Sequence, residues 1–217
     1  MVSTACTGKH LRGDQIWSDD IAYEWGRLLA KLHQANRNIE PSKIQDRPNW
    51  LSLISNLSAA SDCYGLIHGD VHPGNFLVEE NVFKVIDFDY CYFGWFGLDL
   101  ACPLLIALTK LLICKSDIDF WKFRDQLIAG YSSVTALNPA IFKMLPVCMR
   151  YRRLLDYLHT VKVIGFIEPK NFDDKLPPDQ EFLRWCRNNF RENSDSMMEF
   201  LVQDKNWDVG LVPNGLK

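Results

Sequence analysis

A short polar stretch that begins at His68 has the clearest potential for chemistry in this chain. Its residues are His68-Gly-Asp70-Val-His72-Pro-Gly-Asn75, and Asp87-Phe-Asp89 begins twelve residues after Asn75. An amide oxygen and a carboxylate are the hard ligands that Mg²⁺ prefers, so Asn75 and Asp87 are candidate metal ligands. A second carboxylate, outside the metal site, is needed to accept the proton of an attacking hydroxyl, and Asp70 is the candidate for that base. Together these residue types predict phosphoryl transfer, in which metal ions neutralise the charge of the transferred group.

The elements that must position these side chains are short strands. Residues 64–67 form an apolar run that predicts a strand, and the two glycines and one proline that follow exclude a regular helix, so the polar stretch is a loop. The runs 76–78 and 82–86 are β-prone and are separated by three polar residues. This pattern predicts a hairpin whose second strand delivers Asp87.

The rest of the chain is predicted to be helical. Apolar residues recur at helical spacing after Ser18, Asp19 and Asp20, which predicts a helix that ends near His33. A polar loop over 36–48 and a shorter helix over 50–57 follow. The further predicted helices are 98–114, 117–132, 139–164, 178–191 and 194–203, with Ser116, Asn138 and Ser194 as caps.

Composition excludes several classes of protein. Hydrophobic residues make up 47% of the 217 residues, which indicates a folded core rather than a disordered chain. The net charge is −3, so no broad basic surface points to a nucleic acid or an anionic membrane as the partner. The seven cysteines form no CxxC pair, and no signal peptide or membrane span is indicated, so we expect a cytoplasmic protein with reduced thiols.

Three blocks in order, 66–78, 85–89 and 97–101, resemble the aminoglycoside phosphotransferase and choline kinase superfamily, whose fold is protein-kinase-like. The resemblance implies that Asp70 is the catalytic base and that Asn75 and Asp87 bind Mg²⁺. It also implies that His68 and Asp99 support the catalytic loop. The segment 26–33 is similar to the first helix of the family's C-terminal lobe, and Gly8 to Leu11 lie where the hinge between the lobes ends.

The resemblance predicts an α+β fold that is mostly α: a helical bundle with a short β-hairpin that carries the catalytic and metal loops. The chain contains no GxGxxG loop and no strand resembling Val-Ala-Ile-Lys, so we expect a single C-terminal lobe over 1–217 without the N-lobe sheet. Its expected segments are a hinge remnant (1–17), the first helices (18–60), the catalytic loop and metal hairpin (61–97) and a helical subdomain (98–217).

Other residues are candidates for substrate or metal contact. These are Asp89, His72, Tyr90, Arg150, Arg153 and Tyr157. For the basic cluster near Arg150, a solvated helix face with an Arg152–Asp156 pair is the favoured interpretation. The aromatic residues Tyr90, Tyr92, Trp95 and Phe96 are expected to pack in the core or between the lobes rather than to line a pocket for a cationic acceptor, and His33 fits an ordinary helix end.

The expected function is an ATP-dependent small-molecule kinase that phosphorylates a hydroxyl, incomplete without an N-lobe, with Mg²⁺ as cofactor and ATP as co-substrate. Aminoglycosides, choline or ethanolamine, homoserine-like metabolites, sugars and protein Ser/Thr all remain open as acceptors, because relatives with these motifs use each of them. One alternative is a non-catalytic kinase-like binding module. Another is a metal-dependent hydrolase that uses His68, Asp70 and His72, which would share one face of an extended segment. We also expect self-association through the face that an N-lobe would cover.

Overall fold

The computed structural model describes residues 6–11, 13–40, 42, 62–80, 82–164 and 207. The predicted helices over 50–57, 178–191 and 194–203 lie outside these residues. A 3₁₀ turn over Gly13–Trp17 leads into helix α1, Asp19–Asn36, where the Ser18 side chain caps the helix by accepting the Ile21 N–H. The buried residues of α1 lie between Ala22 and His33 at helical spacing, which confirms the predicted helix. The helix itself ends at Asn36, three residues beyond the predicted end at His33.

The described strands form two antiparallel pairs. Strand β1 (Tyr64–Ile67) pairs with β4 (Tyr92–Trp95), and β2 (Phe76–Glu79) pairs with β3 (Val82–Val85). The hairpin prediction is thus confirmed. Strand β4 was not predicted, because its partner β1 lies far upstream and the segment shows no alternation of apolar and polar residues.

Three helices follow β4. Helix α2 (Phe96–Leu112) begins directly after the strand, and α3 (Phe120–Ser132) begins three residues later than predicted. Asp119 caps α3 by accepting the Lys122 N–H, so the prediction of Ser116 as the cap is wrong: Ser116 lies too far before the first turn to reach it. Helix α4 (Pro139–Ile164) has the predicted bounds, and the Asn138 side chain accepts the Ala140 N–H at 2.7 Å.

The core lies where α2 meets strands β1 and β4 and the other helices, while α1 packs against β3 of the other strand pair. Most of α2 is buried, including Phe96, Leu100 and Leu104, and Trp25 of α1 packs edge-on against Phe76 of β2. Trp95 and Phe96 are buried, as predicted, whereas Tyr90 is exposed. Within the described part of the chain, no helix is both long enough and apolar enough to cross a membrane. The core therefore anchors β1 and α2, the two elements on which the polar loop depends.

Candidate active site

The polar loop begins where β1 ends, and its first turn requires a glycine. Gly69 has φ +80°, and a Cβ at this position would lie 2.4 Å from the carbonyl oxygen of Tyr90. Only glycine accepts both this backbone conformation and this close approach at low cost. The backbone at residues 68–70 can therefore pass directly beneath the segment that precedes β4.

The loop backbone is fixed by a buried carboxylate of α2. Asp99 accepts the N–H of His68 at 2.9 Å and the N–H of Gly69 at 2.8 Å, one at each carboxylate oxygen. Nε2 of His33 also lies 3.1 Å from Asp99 Oδ2, and Nδ1 of His33 lies 3.0 Å from the Tyr131 hydroxyl. Burial raises the pKa of Asp99, but the hydrogen bond from His33 and those from the loop outweigh it, so the pKa lies below its ordinary value.

This network corrects the interpretation of His33. The sequence suggested an ordinary helix end, yet the side chain is completely buried and stacks on Phe96 with ring centroids 4.2 Å apart. A buried histidine needs partners for both ring nitrogens, and Asp99 and Tyr131 supply them. The three side chains thus join α1, α2 and α3 behind the loop.

His68 connects the loop to the strand that precedes Asp87. Its side chain is completely buried, and Nε2 donates a hydrogen bond to the Ile86 carbonyl at 2.9 Å. The Ile86 N–H in turn donates to the Asn75 carbonyl at 2.9 Å. The loop, Asn75 and the residue before Asp87 are therefore held in one hydrogen-bonded unit.

The Asp70 carboxylate is surrounded by hydrogen-bond donors. The Asn75 amide donates to the Asp70 carbonyl at 2.9 Å and to Oδ2 at 3.2 Å. Nδ1 of His72 accepts the Gly74 N–H, so Nε2 carries the ring proton and lies 3.5 Å from Oδ2 of Asp70. His72, a candidate substrate or metal contact from the sequence, thus lies beside the carboxylate.

A third donor to Asp70 was missed by the sequence reasoning. Nη2 of Arg152 lies 2.6 Å from Oδ1 of Asp70, and Nη1 donates to the Gly69 carbonyl. The predicted pair between Arg152 and Asp156 is present at 2.7 Å, but the solvated basic face is wrong for Arg152, whose side chain is only 12% exposed. Burial raises the pKa of Asp70, yet the hydrogen bonds from His72 and Arg152 outweigh it and bring the pKa to about 2.

The two candidate metal ligands differ in their surroundings. Asn75 is buried, and since its amide N–H groups serve Asp70, its oxygen is the atom left to bind a cation. Asp87 is exposed and has φ +64°, a strained conformation for a residue other than glycine that is typical of functional sites. An amide oxygen and an exposed carboxylate on one hydrogen-bonded unit suit a hard divalent cation.

The remaining candidates are spread over two elements. Asp89 and Tyr90 are exposed in the turn after Asp87, while Arg150, Arg153 and Tyr157 are partly buried on α4. Among the described residues, no group of three or more His, Cys, Asp or Glu side chains could hold a metal ion. His68 is buried, and its Nε2 donates a hydrogen bond to the Ile86 carbonyl. The metal site that a hydrolase would need, with His68, Asp70 and His72 on one face, therefore does not form.

Comparison with known proteins finds similarity to phosphotransferases. Residues 44–131 match the model of the phosphotransferase enzyme family. The amicoumacin kinase of Bacillus subtilis (strain 168) is 23% identical over 170 residues, which cover 65% of this chain and 51% of that kinase. The methylthioribose kinase of Erwinia tasmaniensis is 42% identical over 53 residues, 24% of this chain and 12% of that kinase. The chain thus spans about half the length of the amicoumacin kinase that it matches.

Two solved structures share the fold. An amicoumacin kinase in complex with AMP-PNP, Ca²⁺ and Ami superposes with a TM-score of 0.66 at 17% identity, over 88% of this chain and 64% of that one. A microcompartment-associated aminopropanol kinase gives a TM-score of 0.58 at 19% identity, over 85% of this chain and 65% of that one. The fold is therefore kinase-like, helix-rich and of the α+β class.

Proposed function

We propose that this chain, of which residues 44–131 match the phosphotransferase enzyme family, is the catalytic part of an ATP-dependent small-molecule kinase. The observation that carries the proposal is the position of Asp70. Its carboxylate is aligned by Arg152, Asn75 and His72 on the same hydrogen-bonded unit that ends at the exposed Asp87. An aligned carboxylate next to hard oxygen ligands is what transfer to a hydroxyl requires.

In the proposed reaction, Asp70 accepts a hydrogen bond from the acceptor hydroxyl and takes its proton as the oxygen attacks the γ-phosphorus. The bond from the γ-phosphorus to the β,γ-bridging oxygen breaks at the same time, and ADP leaves with the electron pair. With a pKa of about 2, Asp70 is ionised at neutral pH and ready to orient the hydroxyl. Asn75 and Asp87 are proposed to hold the divalent metal ion, which neutralises charge on the phosphates when bound. Asp99 and His68 keep the loop backbone in place during the transfer.

We further propose that the described residues form the C-terminal lobe of the kinase fold, with 61–97 as the catalytic loop and metal hairpin. Mg²⁺ is the proposed metal, ATP the phosphoryl donor, and a small hydroxyl-bearing molecule the acceptor. The relatives' names include an aminopropanol kinase and a methylthioribose kinase, so amino alcohols and sugar derivatives are the first acceptors to test.

The test is transfer of the γ-phosphoryl group from labelled ATP with Mg²⁺ to aminopropanol, methylthioribose, choline and an aminoglycoside. For an acceptor that is phosphorylated, the Asp70→Asn variant is expected to lower the rate by about 10²–10⁴ because the general base is lost. The matched control is Asp117→Asn, an exposed loop carboxylate, which is expected to keep the wild-type rate. A wild-type rate in Asp70→Asn would refute the assignment of the base.

Calorimetric titration with Mg²⁺-ATP separates the kinase from the non-catalytic binding module. A kinase is expected to bind Mg²⁺-ATP more weakly after Asp87→Asn, because the metal loses a charged ligand. A chain that binds the acceptors, and whose binding of Mg²⁺-ATP is absent or unchanged by Asp87→Asn, is the result expected for a binding module.

A further inference from the structure

We propose that Arg152 is a positioning residue for the base of the phosphoryl transfer: it fixes the orientation of the Asp70 carboxylate so that Oδ2 faces the acceptor hydroxyl. The inference rests on the proposed function and assigns a residue of α4 to the catalytic loop. Its basis is the set of contacts that the Arg152 guanidinium makes with three partners at once.

Each guanidinium nitrogen of Arg152 has its own partner. Nη2 donates to Oδ1 of Asp70 at 2.6 Å, Nη1 donates to the Gly69 carbonyl, and Nε donates to Oδ1 of Asp156 at 2.7 Å. Asp156 lies one turn later on the same helix, and its contact with Nε fixes the guanidinium relative to α4. The fork is therefore fixed relative to both α4 and the loop, and the carboxylate can rotate only by breaking a charge-assisted hydrogen bond.

The contact lengths distinguish the two oxygens of Asp70. Oδ1 is bound by the guanidinium at 2.6 Å, a strong charge-assisted contact. Oδ2 has longer contacts, with the Asn75 amide at 3.2 Å and Nε2 of His72 at 3.5 Å. A substrate hydroxyl competes more easily with these longer contacts, so Oδ2 is the oxygen that accepts its proton.

The chemistry of the contact requires arginine. The side chain is 12% exposed, so the ion pair with Asp70 is largely shielded from water, and its geometry is costly to disturb. A lysine ammonium is a single point charge and does not reproduce a planar fork directed at three acceptors. Substitution of Arg152 by lysine therefore keeps the positive charge but removes the planar geometry.

A purely structural role is the competing explanation, because the same contacts also dock α4 on the loop. The two roles differ in what happens when Asp70 is already changed. A positioning residue acts through Asp70, so its removal costs no further activity in the Asp70→Asn background. A structural residue lowers the activity by the same factor in both backgrounds.

The experiment measures kcat and KM for Mg²⁺-ATP in the full chain, with the acceptor that the wild type phosphorylates best. Arg152→Ala is expected to lower kcat about 100-fold because the base is misplaced, with an unchanged KM for Mg²⁺-ATP. Added methylguanidinium is expected to restore part of kcat, and Arg152→Ala/Asp70→Asn is expected to match Asp70→Asn. The matched control is Arg27→Ala, a partly exposed arginine with a partner on its own helix, which is expected to keep the wild-type kcat.

Three results would overturn the inference. Losses that multiply in the double variant would show that Arg152 does not act through Asp70. If Arg152→Ala does not fold, Arg152→Lys takes its place with the same expectations, except that methylguanidinium is not expected to restore kcat. If neither variant folds, Arg152 is a structural residue and the inference is overturned. If the wild type phosphorylates no acceptor, the proposed function fails separately. The coupling between Arg152 and Asp70 is then measured by the unfolding free energies of the same single and double variants. If the losses of the two single variants add up in the double variant, the inference is overturned.

Discussion

One buried carboxylate, Asp99, holds the backbone of the polar loop by accepting hydrogen bonds from the N–H groups of His68 and Gly69, and it also pairs with the His33 side chain. Asp99→Ala leaves these donors buried without a partner, so we expect the free energy of unfolding to fall by about 3–5 kcal/mol. Denaturant unfolding measures this change. The exposed Asp117→Ala serves as the control, with an expected change within about 0.5 kcal/mol. Equal stability of the two variants would contradict the role given to Asp99.

The same residue predicts a dependence of stability on pH. The pKa of Asp99 is lowered in the folded state despite burial, because His33 and the loop N–H groups stabilise the carboxylate. Its contribution is fully present above the ordinary aspartate pKa of about 3.9 and is lost as the pH falls through the lower folded value. We expect the unfolding free energy of the wild type to fall more steeply below about pH 4 than that of Asp99→Asn. Parallel curves for the two proteins would rule this out.

At the scale of elements, the contact between α1 and α3 positions the network behind the loop. A Cβ at Gly26 would lie 1.9 Å from the Leu127 carbonyl oxygen, and one at Gly130 would lie 1.9 Å from that of Tyr23. The two backbones therefore touch at both glycines. His33 of α1 and Tyr131 of α3 depend on this approach for their hydrogen bond.

Gly26→Ala is expected to lower the free energy of unfolding by about 1–3 kcal/mol or more, because the helices must separate. Thermal and denaturant unfolding give the size of the effect. Gln34→Ala, an exposed position on the same helix, should change stability by less than about 0.5 kcal/mol. If Gly26→Ala unfolds like the wild type, the close helix contact does not exist in solution.

At the scale of the whole molecule, Trp207 packs onto α3 and α4. Its ring centroid lies 5.8 Å from those of Trp121 and Phe142, and the Arg124 guanidinium lies 5.3 Å from the ring. Trp207→Ala removes a large buried side chain and is expected to cost about 3–5 kcal/mol of unfolding free energy, with Trp207→Phe costing less. Equal losses in both variants would argue against a packing role.

Self-association stays a prediction at this scale. Val82, Phe88 and Tyr90 are exposed apolar or aromatic side chains on and just after the hairpin that carries Asp87. Sedimentation over a dilution series is expected to show dimers at high concentration that Val82→Asp weakens. Val147→Asp, an exposed position on α4, should leave them unchanged. A strict monomer at high concentration would refute the prediction.

Local patterns in the sequence predicted much of the fold. Helical spacing predicted α1 and the bounds of α4, and the glycines and proline after β1 predicted the loop. Strand β4 could not be predicted in this way, because its pairing with β1 depends on residues far apart in the chain. The start of α3 was misplaced because Asp119, rather than Ser116, reaches the first free N–H groups.

The sequence by itself determined which residues could do chemistry, since the spacing of Asp70, Asn75 and Asp87 is a local property that sequence reasoning can use. Only the tertiary structure decided what surrounds them. Arg152 reaches Asp70 from 82 residues away, and His33 reaches Asp99 from 66 residues away. Such contacts arise when packed helices bring distant side chains together in a buried space where every polar group needs a partner, and no local pattern encodes them.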